Sequence, residues 1–467
     1  MIIHKKSGGL PLRKLLFILI IGLLITGCSK GTDTTSEAEE KPGQVKETQD
    51  DDKEKDVEED SEEADSAEVA GKLGDLEVKL SGEAMINKDQ IKIEGESNLL
   101  SGTKVYSSGV NDDGFASSTF IDTAEVKDDG SFSFEFSGIS KSTEVELKLY
   151  NNNEETAEHY GENLEKVTGP QKYVTDTHGE FKVKVDFYID VDKEMPYSIP
   201  IDIPEWEQIP DDYGEQEVWM EADVESDHRY LYFHGKSNLM EGAKVGGNLM
   251  RESGIIDPFS FGHTRINPDG TFELRVPYHT LRKGMYMPIR FEPNKNSWED
   301  IVDNYGEHGK QLTGELVEKD GEDQYAELIV GIDAPDFDPP EDVGLTVEKE
   351  EVKIQMPDDL LFDFDDSKLK SNAKDTLNDV VKDLQKLDDN TAIEINGHTD
   401  NAGDDAYNME LSKKRADAVW SYLKKQGAMD GLDVQVDGYG DTKPIASNKD
   451  EKGQERNRRV EIIINPR

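Results

Sequence analysis

A single cysteine, Cys28, among 467 residues leaves the chain no internal disulfide, so its stability must come from packed cores. Basic residues are scarce as well: 53 lysines and arginines face 102 aspartates and glutamates, a formal net charge of −49. A chain this negative repels a phosphate backbone instead of releasing its counterions, which argues against nucleic acid as a partner. The same charge opposes electrostatic adsorption to anionic lipid head groups. The nine histidines never stand with cysteine or carboxylate at zinc-ligand spacing, so no metal and no cofactor is expected. The N-terminal apolar run, "LLFILIIGLLIT", is at about a dozen residues too short for a comfortable membrane span.

That run follows His4, Lys5, Lys6, Arg13 and Lys14 and leads to Ile25-Thr26-Gly27-Cys28. A charged start, a short apolar stretch and small residues before a cut describe an export signal. The last four residues resemble a lipobox, after which the new N-terminal cysteine takes a lipid; the alternative is a buried free cysteine in a signal anchor. Residues 1–27 are therefore expected to be a lipoprotein signal peptide and Cys28 the lipidation site, holding the protein on the extracytoplasmic side of a membrane in the cell envelope. Residues 28–71 are almost devoid of aliphatics ("QDDDKEKDVEEDSEEADSAE") and cannot bury enough apolar surface to offset their ordering entropy. They read as a disordered acidic tether, about 40 residues with a reach of roughly 35 Å.

An internal repeat follows at a spacing of about 140 residues. "IEGESNLLSGTKV" from Ile93 matches "FHGKSNLMEGAKV" from Phe233, and Asp129-Gly130 stays in step with Asp269-Gly270. "YGENLEKVTG" from Tyr160 matches "YGEHGKQLTG" from Tyr305. Alternating runs such as "FKVKVDFYID", with Asp-Gly turns between them, predict antiparallel strands and hairpins. Two tandem antiparallel β-sandwich (Ig-like) units are expected, over 72–200 and 201–338, joined by the Pro-punctuated "MPYSIPIDIPEWEQIP". The Asp-Gly pairs lack the alternating carboxylates and distant glutamate of a calcium loop, so they read as turns. Gly-Lys-Ser in "FHGKSNL" lacks the upstream glycine and helix of a phosphate loop and reads as a strand end.

From about residue 345 the pattern changes to strands alternating with helices, an α/β layer. "EVKIQMP", "TAIEINGHTD", "LDVQVDGYGD" and "RVEIIINPR" are strand-like, while Leu377, Val380, Val381, Leu384 and Leu387 form one helical stripe. A second helix over "DDAYNMELSKKRADAVWSYLKKQG" is expected to turn Tyr407, Leu411, Ala418, Val419, Tyr422 and Leu423 inward and to stop at Gly427. Asp400 lies in the turn before it and Arg415 within it. By residue pattern alone, Asp400 is a helix-end anion and Arg415 a solvated charge. The sharper alternative has both converge, which requires the loop after Asp400 to fold back along the helix.

"FDFDDSKL" from Phe362, "INGHTDNAG", "YNMELSKKRADAVWSYLKKQG", "VDGYGDTKPIASN" and "GQERNRRVEI" occur in the order and spacing of the OmpA-like, peptidoglycan-associating domain. The resemblance covers about 110 residues within 345–467 and implies a mixed sheet with helices packed on it. It implies as ligand the diaminopimelate of peptidoglycan stem peptides, its ammonium meeting Asp400 and its carboxylate Arg415. Asp365, Asp366 and Asn408 line the same pocket by the same resemblance. One acid and one guanidinium fork suit a zwitterion. Arg456, Arg458 and Arg459 either touch peptide carboxylates or pair with nearby acids at the sheet edge, the latter being the plainer reading. His398, Asp400 and Ser412 invite a hydrolase reading, but nothing places Ser412 on a nucleophile's sharp turn, so no enzyme is expected. The expected function is a lipid-anchored tether between membrane and peptidoglycan. The alternative is a surface adhesin or sensor whose repeats bind a protein or glycan, with Trp206, Trp219 and Trp298 as a surface instead of core or joint residues.

Overall fold

The computed structural model describes residues 72–466 except 113, 152, 192, 194 and 295. The signal peptide, Cys28 and the acidic tether therefore lie outside the described residues.

The first repeat runs β1 (Leu80–Ile86), β2 (Gln90–Ser97), β3 (Lys104–Asn111), β4 (Asp122–Glu125), β5 (Ser131–Ser137), β6 (Thr143–Tyr150), α1 (Glu154–Tyr160), β7 (Lys172–Val174), β8 (Phe181–Ile189) and β9 (Tyr197–Ile201). Its strands form two antiparallel sheets, β5-β2-β1-β9 and β4-β3-β6-β8-β7. Alternation is strict in β5, where Phe132, Phe134 and Phe136 are buried between exposed neighbours. These rings meet Leu80, Ile93, Val145 and Leu147 in one core shared by both sheets.

The second repeat runs β10 (Met220–Ser226), β11 (Tyr230–Ser237), β12 (Lys244–Met250), β13 (Ile256–Arg265), β14 (Thr271–Pro277), β15 (Tyr286–Phe291), α2 (Glu299–Tyr305), β16 (Val317–Asp320) and β17 (Asp323–Gly331). Here the sheets are β10-β11-β14 and β13-β12-β15-β17-β16. The repeated motifs are the same physical devices used twice. Asp129 accepts from the Ser131 amide and hydroxyl at 3.0 and 2.7 Å, and Asp269 does so from Thr271 at the same distances. The following glycines hold φ of +84° and +85°, and a Cβ on either would lie 2.3 Å from a carbonyl, of Ser97 or Ser237. Each "SNL" asparagine bridges two backbone segments, Asn98 to Lys79 and Glu77, Asn238 to Trp219 and Glu217. Sequence alternation overlooked α1 and α2, one short helix per repeat. Each ends in a buried tyrosine whose hydroxyl accepts a backbone amide, Tyr160 from Leu100 and Tyr305 from Met240. None of the tryptophans forms an open aromatic face: Trp206 donates to the Pro170 carbonyl at 2.6 Å, Trp219 to Asp212 at 2.8 Å, and Trp298 lies over Gly242.

The last segment comprises β18 (Gly344–Glu348), β19 (Glu351–Pro357), α3 (Asp358–Leu361), α4 (Ala373–Leu384), β20 (Ala392–His398), α5 (Asp405–Lys425), β21 (Asp433–Gly438), α6 (Glu451–Asn457) and β22 (Arg459–Ile464). The sheet order is β18-β19-β22-β20-β21, antiparallel except for β20 with β21. It is thus the mixed sheet with helices packed on it that the resemblance led us to expect, with β18 as a further strand at its edge. One sheet face (Ile354, Ile393, Ile395, Val460, Ile462) packs against Leu377, Val380, Leu384, Val419 and Leu423 of the two long helices. The other face is polar, with Arg459, Glu461, Asn396 and His398 all buried.

All described residues fall in one compact unit. Arg229 clasps Asp190 at 2.6 Å across the two repeats. His228 reaches Glu351 at 2.7 Å, and the Leu281 amide donates to the Leu345 carbonyl at 2.9 Å, joining the second repeat to the last segment.

Candidate functional site

The site is built where β20 gives way to α5. Gly397 lets the helix lie directly on the sheet, since a Cβ there would stand 2.0 Å from the Ser412 carbonyl. Asp404, not Asp400, caps the helix, accepting from the amides of Ala406 and Tyr407 at 3.0 and 3.3 Å. Asp400 is left for other work. Its Oδ1 accepts from the Ala402 amide at 3.0 Å, and its Oδ2 receives Nη1 of Arg458 at 2.5 Å. The loop is pinned to the first turn of the helix: Asn408 Nδ2 donates to the carbonyls of Asp400 and Ala402 at 3.3 and 3.1 Å.

Arg415 is buried, 3 % exposed, so the solvated-charge reading of it fails. Three groups hold the guanidinium. Nε donates to the Asp366 carbonyl at 2.9 Å, Nη1 pairs with Asp358 at 3.0 Å, and the Phe362 ring centroid lies 5.3 Å away. Burial lowers its affinity for a proton, while Asp358, Asp365 and Tyr407 act in the opposite sense. Asp358 is pushed up to about 6 by burial, against the pull of Arg415 and Arg458. The charge of Arg458 is felt at Asp358 and at Arg415, and the same side chain grips Asp400. Asp400 is thus paired with Arg458, whose charge also acts on Asp358 and Arg415.

Of the other expected residues, Asp366 meets Arg415 through its backbone, its carboxylate being taken by the Ser367 and Lys368 amides at 2.7 and 2.9 Å. Asp365 is exposed, with φ of 60°, and accepts from the Tyr407 hydroxyl at 2.5 Å. Tyr407 is 47 % exposed, a correction to its expected place in the core. It starts α5 on the loop side, and the inward face there is Asn408, Ser412, Arg415, Ala416, Val419 and Leu423. Beside it Phe364 is 99 % exposed and Met409 41 %. The hydrolase triad does not assemble as a reactive set. Ser412 Oγ donates to the Met409 carbonyl and accepts from the Gly440 amide, both at 2.9 Å, while the His398 ring stacks on Tyr439. Burial lowers the pKa of His398, and fully buried Glu461, in the field of Arg459, stays ionised well below the usual carboxylate range.

The OmpA family model matches residues 361–458, the stretch that carries this site. Outer-membrane lipoprotein YfiB of Pseudomonas aeruginosa is 34% identical over 121 residues, which are 26% of this chain and 71% of that protein. The chain belongs to the OmpA family. Outer membrane protein A of Bordetella avium is 43% identical over 112 residues, 24% of this chain and 57% of the relative. The peptidoglycan-associated lipoprotein from Burkholderia pseudomallei, a solved structure, is 30% identical and covers 22% of this chain and 86% of its own, with a TM-score of 0.20. Against several curated relatives the chain spans about half their length or less, 57% of the Bordetella protein and 34% of Outer membrane porin F of P. aeruginosa.

One residue beside this site, Asp358, escaped sequence reading, as did the partner of another, Arg458. Asp358 follows Pro357 at the start of a four-residue helix and looked like one of many surface acids. Arg458 was visible as a basic residue in an acidic chain, and pairing with an acid was its plainer reading. That its partner is Asp400, 58 positions earlier, needed the register of β20 against β22.

Proposed function

We propose that the protein is a non-enzymatic cell-envelope anchor that binds peptidoglycan non-covalently through diaminopimelate. Asp400 takes the ligand's ammonium and Arg415 its carboxylate. The observation that carries this reading is the buried guanidinium of Arg415, paired with Asp358 and subject to the charge of Arg458, the arginine that holds Asp400. A deeply placed cation with only one carboxylate against it is costly unless something anionic completes its shell. Asp358, pushed up to about 6, gives up its charge easily and so yields Arg415 to an incoming carboxylate. Arg458, displaced from Asp400 by an ammonium, is then free to meet the stem peptide's next carboxylate. Asn408 acts by fixing the loop, Asp366 by aiming Arg415 through its carbonyl, and Asp365 by orienting Tyr407. Phe364, Tyr407 and Met409 supply an apolar rim for the ligand's methylene chain.

Two charge-assisted contacts of about 1.5–3 kcal/mol each support modest affinity. A lipid on Cys28 and the acidic tether of residues 28–71, after removal of 1–27, would hold the site near the wall and raise its effective concentration. In this division 72–200 and 201–338 are two Ig-like sandwich units that space the wall-binding domain, 345–467, from the membrane.

The test is retention on purified sacculi. Asp400→Ala and Arg415→Ala should each abolish retention on diaminopimelate walls, and the unaltered protein should bind lysine-type walls far less well. Unchanged retention in both variants overturns the assignment. A second reading, with the repeats as binding modules, is favoured by one patch: Ile255, Ile256, Phe259 and Phe261 at edge strand β13 are 52 to 89 % exposed. Residues 72–338 screened against wall polymers and exported proteins would reveal such a ligand.

A further inference from the structure

A cleft of about 720 Å³ opens where the two repeats meet the last segment, within the size range of ligand sites. Its lining reverses the character of the chain. Lysines and arginines number seven there against three acids, in a protein with almost two acids per base. Arg229, Arg458 and Arg459 are paired with Asp190, Asp400 and Glu461. Among the described residues Lys353 on β19 and Arg456 on α6 have no carboxylate partner within 4.0 Å, and they reach the cleft from different elements. Their charge is felt on the cleft wall: burial and then Lys353 lower the pKa of His228, and burial and then Arg456 that of His279. At physiological salt the screening length is about 8 Å, so an anion inside feels this lining more than the distant acidic surface.

We propose that this cleft is an oxyanion site for a phosphate group, which borders the Asp400–Arg415 site at Arg458 and is set apart from it by Lys353 and Arg456. Cations approaching from several sides suit a tetrahedral, multiply charged phosphate better than a planar carboxylate. The phosphate is either a free ion or one link of a phosphodiester polymer. The proposal does not depend on peptidoglycan binding.

The experiment is titration calorimetry of the full chain with linear polyphosphate, at about 0.05 M and about 0.3 M salt. Saturable binding that weakens with salt is expected, with a loss of tenfold or more in Lys353→Gln/Arg456→Gln. That variant should melt as the parent does and keep its retention on sacculi, whereas Asp400→Ala should still bind polyphosphate. Displacement by inorganic phosphate at low millimolar concentration would assign the free ion, and displacement only by phosphodiester oligomers the polymer. No binding, undiminished binding by the double variant, or equal affinity for citrate would overturn the phosphate assignment.

Discussion

Replacing Arg415 by alanine separates its two roles, and the structure sets the size of each. The change strands Asp358, which is 8 % exposed and already pushed up to about 6. Asp358 is mostly ionised at pH 7 in the parent, and without its partner it takes up a proton there. Neutralising it at pH 7 costs about 1.36 kcal/mol per unit between pH and pKa, here about 1.4 kcal/mol. The lost charged hydrogen bond to the Asp366 carbonyl, 2.9 Å in the parent, adds about 1.5–3 kcal/mol. A total near 3–4 kcal/mol agrees with the usual cost of breaking a buried pair. Asp358→Asn/Arg415→Met removes both charges and keeps the bulk beside Phe362, so it should recover most of that stability. It should not recover retention on sacculi. Urea unfolding and sacculus pull-down of the parent, the single and the double variant form the assay. A double variant no more stable than Arg415→Ala refutes the pairing argument, and one that still binds sacculi refutes the ligand role.

Asp358 also sets a pH dependence. Its folded pKa is raised, so the folded chain holds a proton longer than the unfolded one, and its contribution to stability falls as pH rises from about 4 to about 6. Relative to Asp358→Asn, the parent should lose about 3 kcal/mol across that window in denaturant titrations at stepped pH. Gly397→Ala should lift α5 off the sheet, since its Cβ would sit 2.0 Å from the Ser412 carbonyl, costing about 1–3 kcal/mol by thermal melting and impairing retention. Tyr407→Phe removes a hydroxyl from an exposed hydrogen bond to Asp365, so the melting temperature should barely change while retention weakens a few-fold. Gly130→Ala and Gly270→Ala, at φ of +84° and +85°, should each cost more than about 1 kcal/mol, and by nearly equal amounts, in unfolding of the full chain.

Much of the architecture was legible because its signals are local. Period-two alternation exposed the strands of both repeats, and the stripe from Leu377 to Leu384 is the buried face of α4. The short helices α1 and α2 were missed because seven residues carry too little periodicity to stand out between strands. Tyr407 was assigned inward for the opposite reason: apolar character was taken for burial, and the helix turned that aromatic to its rim.

By itself the sequence determined the kinds of charge available and the segments that carry them: Asp400 after a strand, Arg415 inside a helix, Arg458 near the end of an acidic chain. Only the tertiary structure decided who meets whom. Whether Arg415 is solvated or buried depends on Gly397 letting α5 settle on the sheet. That Asp400 faces Arg458 follows from β20 pairing with β22, two strands about 60 residues apart in the chain. Such distant pairings are set by packing and register over the whole sheet, and no local window of residues encodes them.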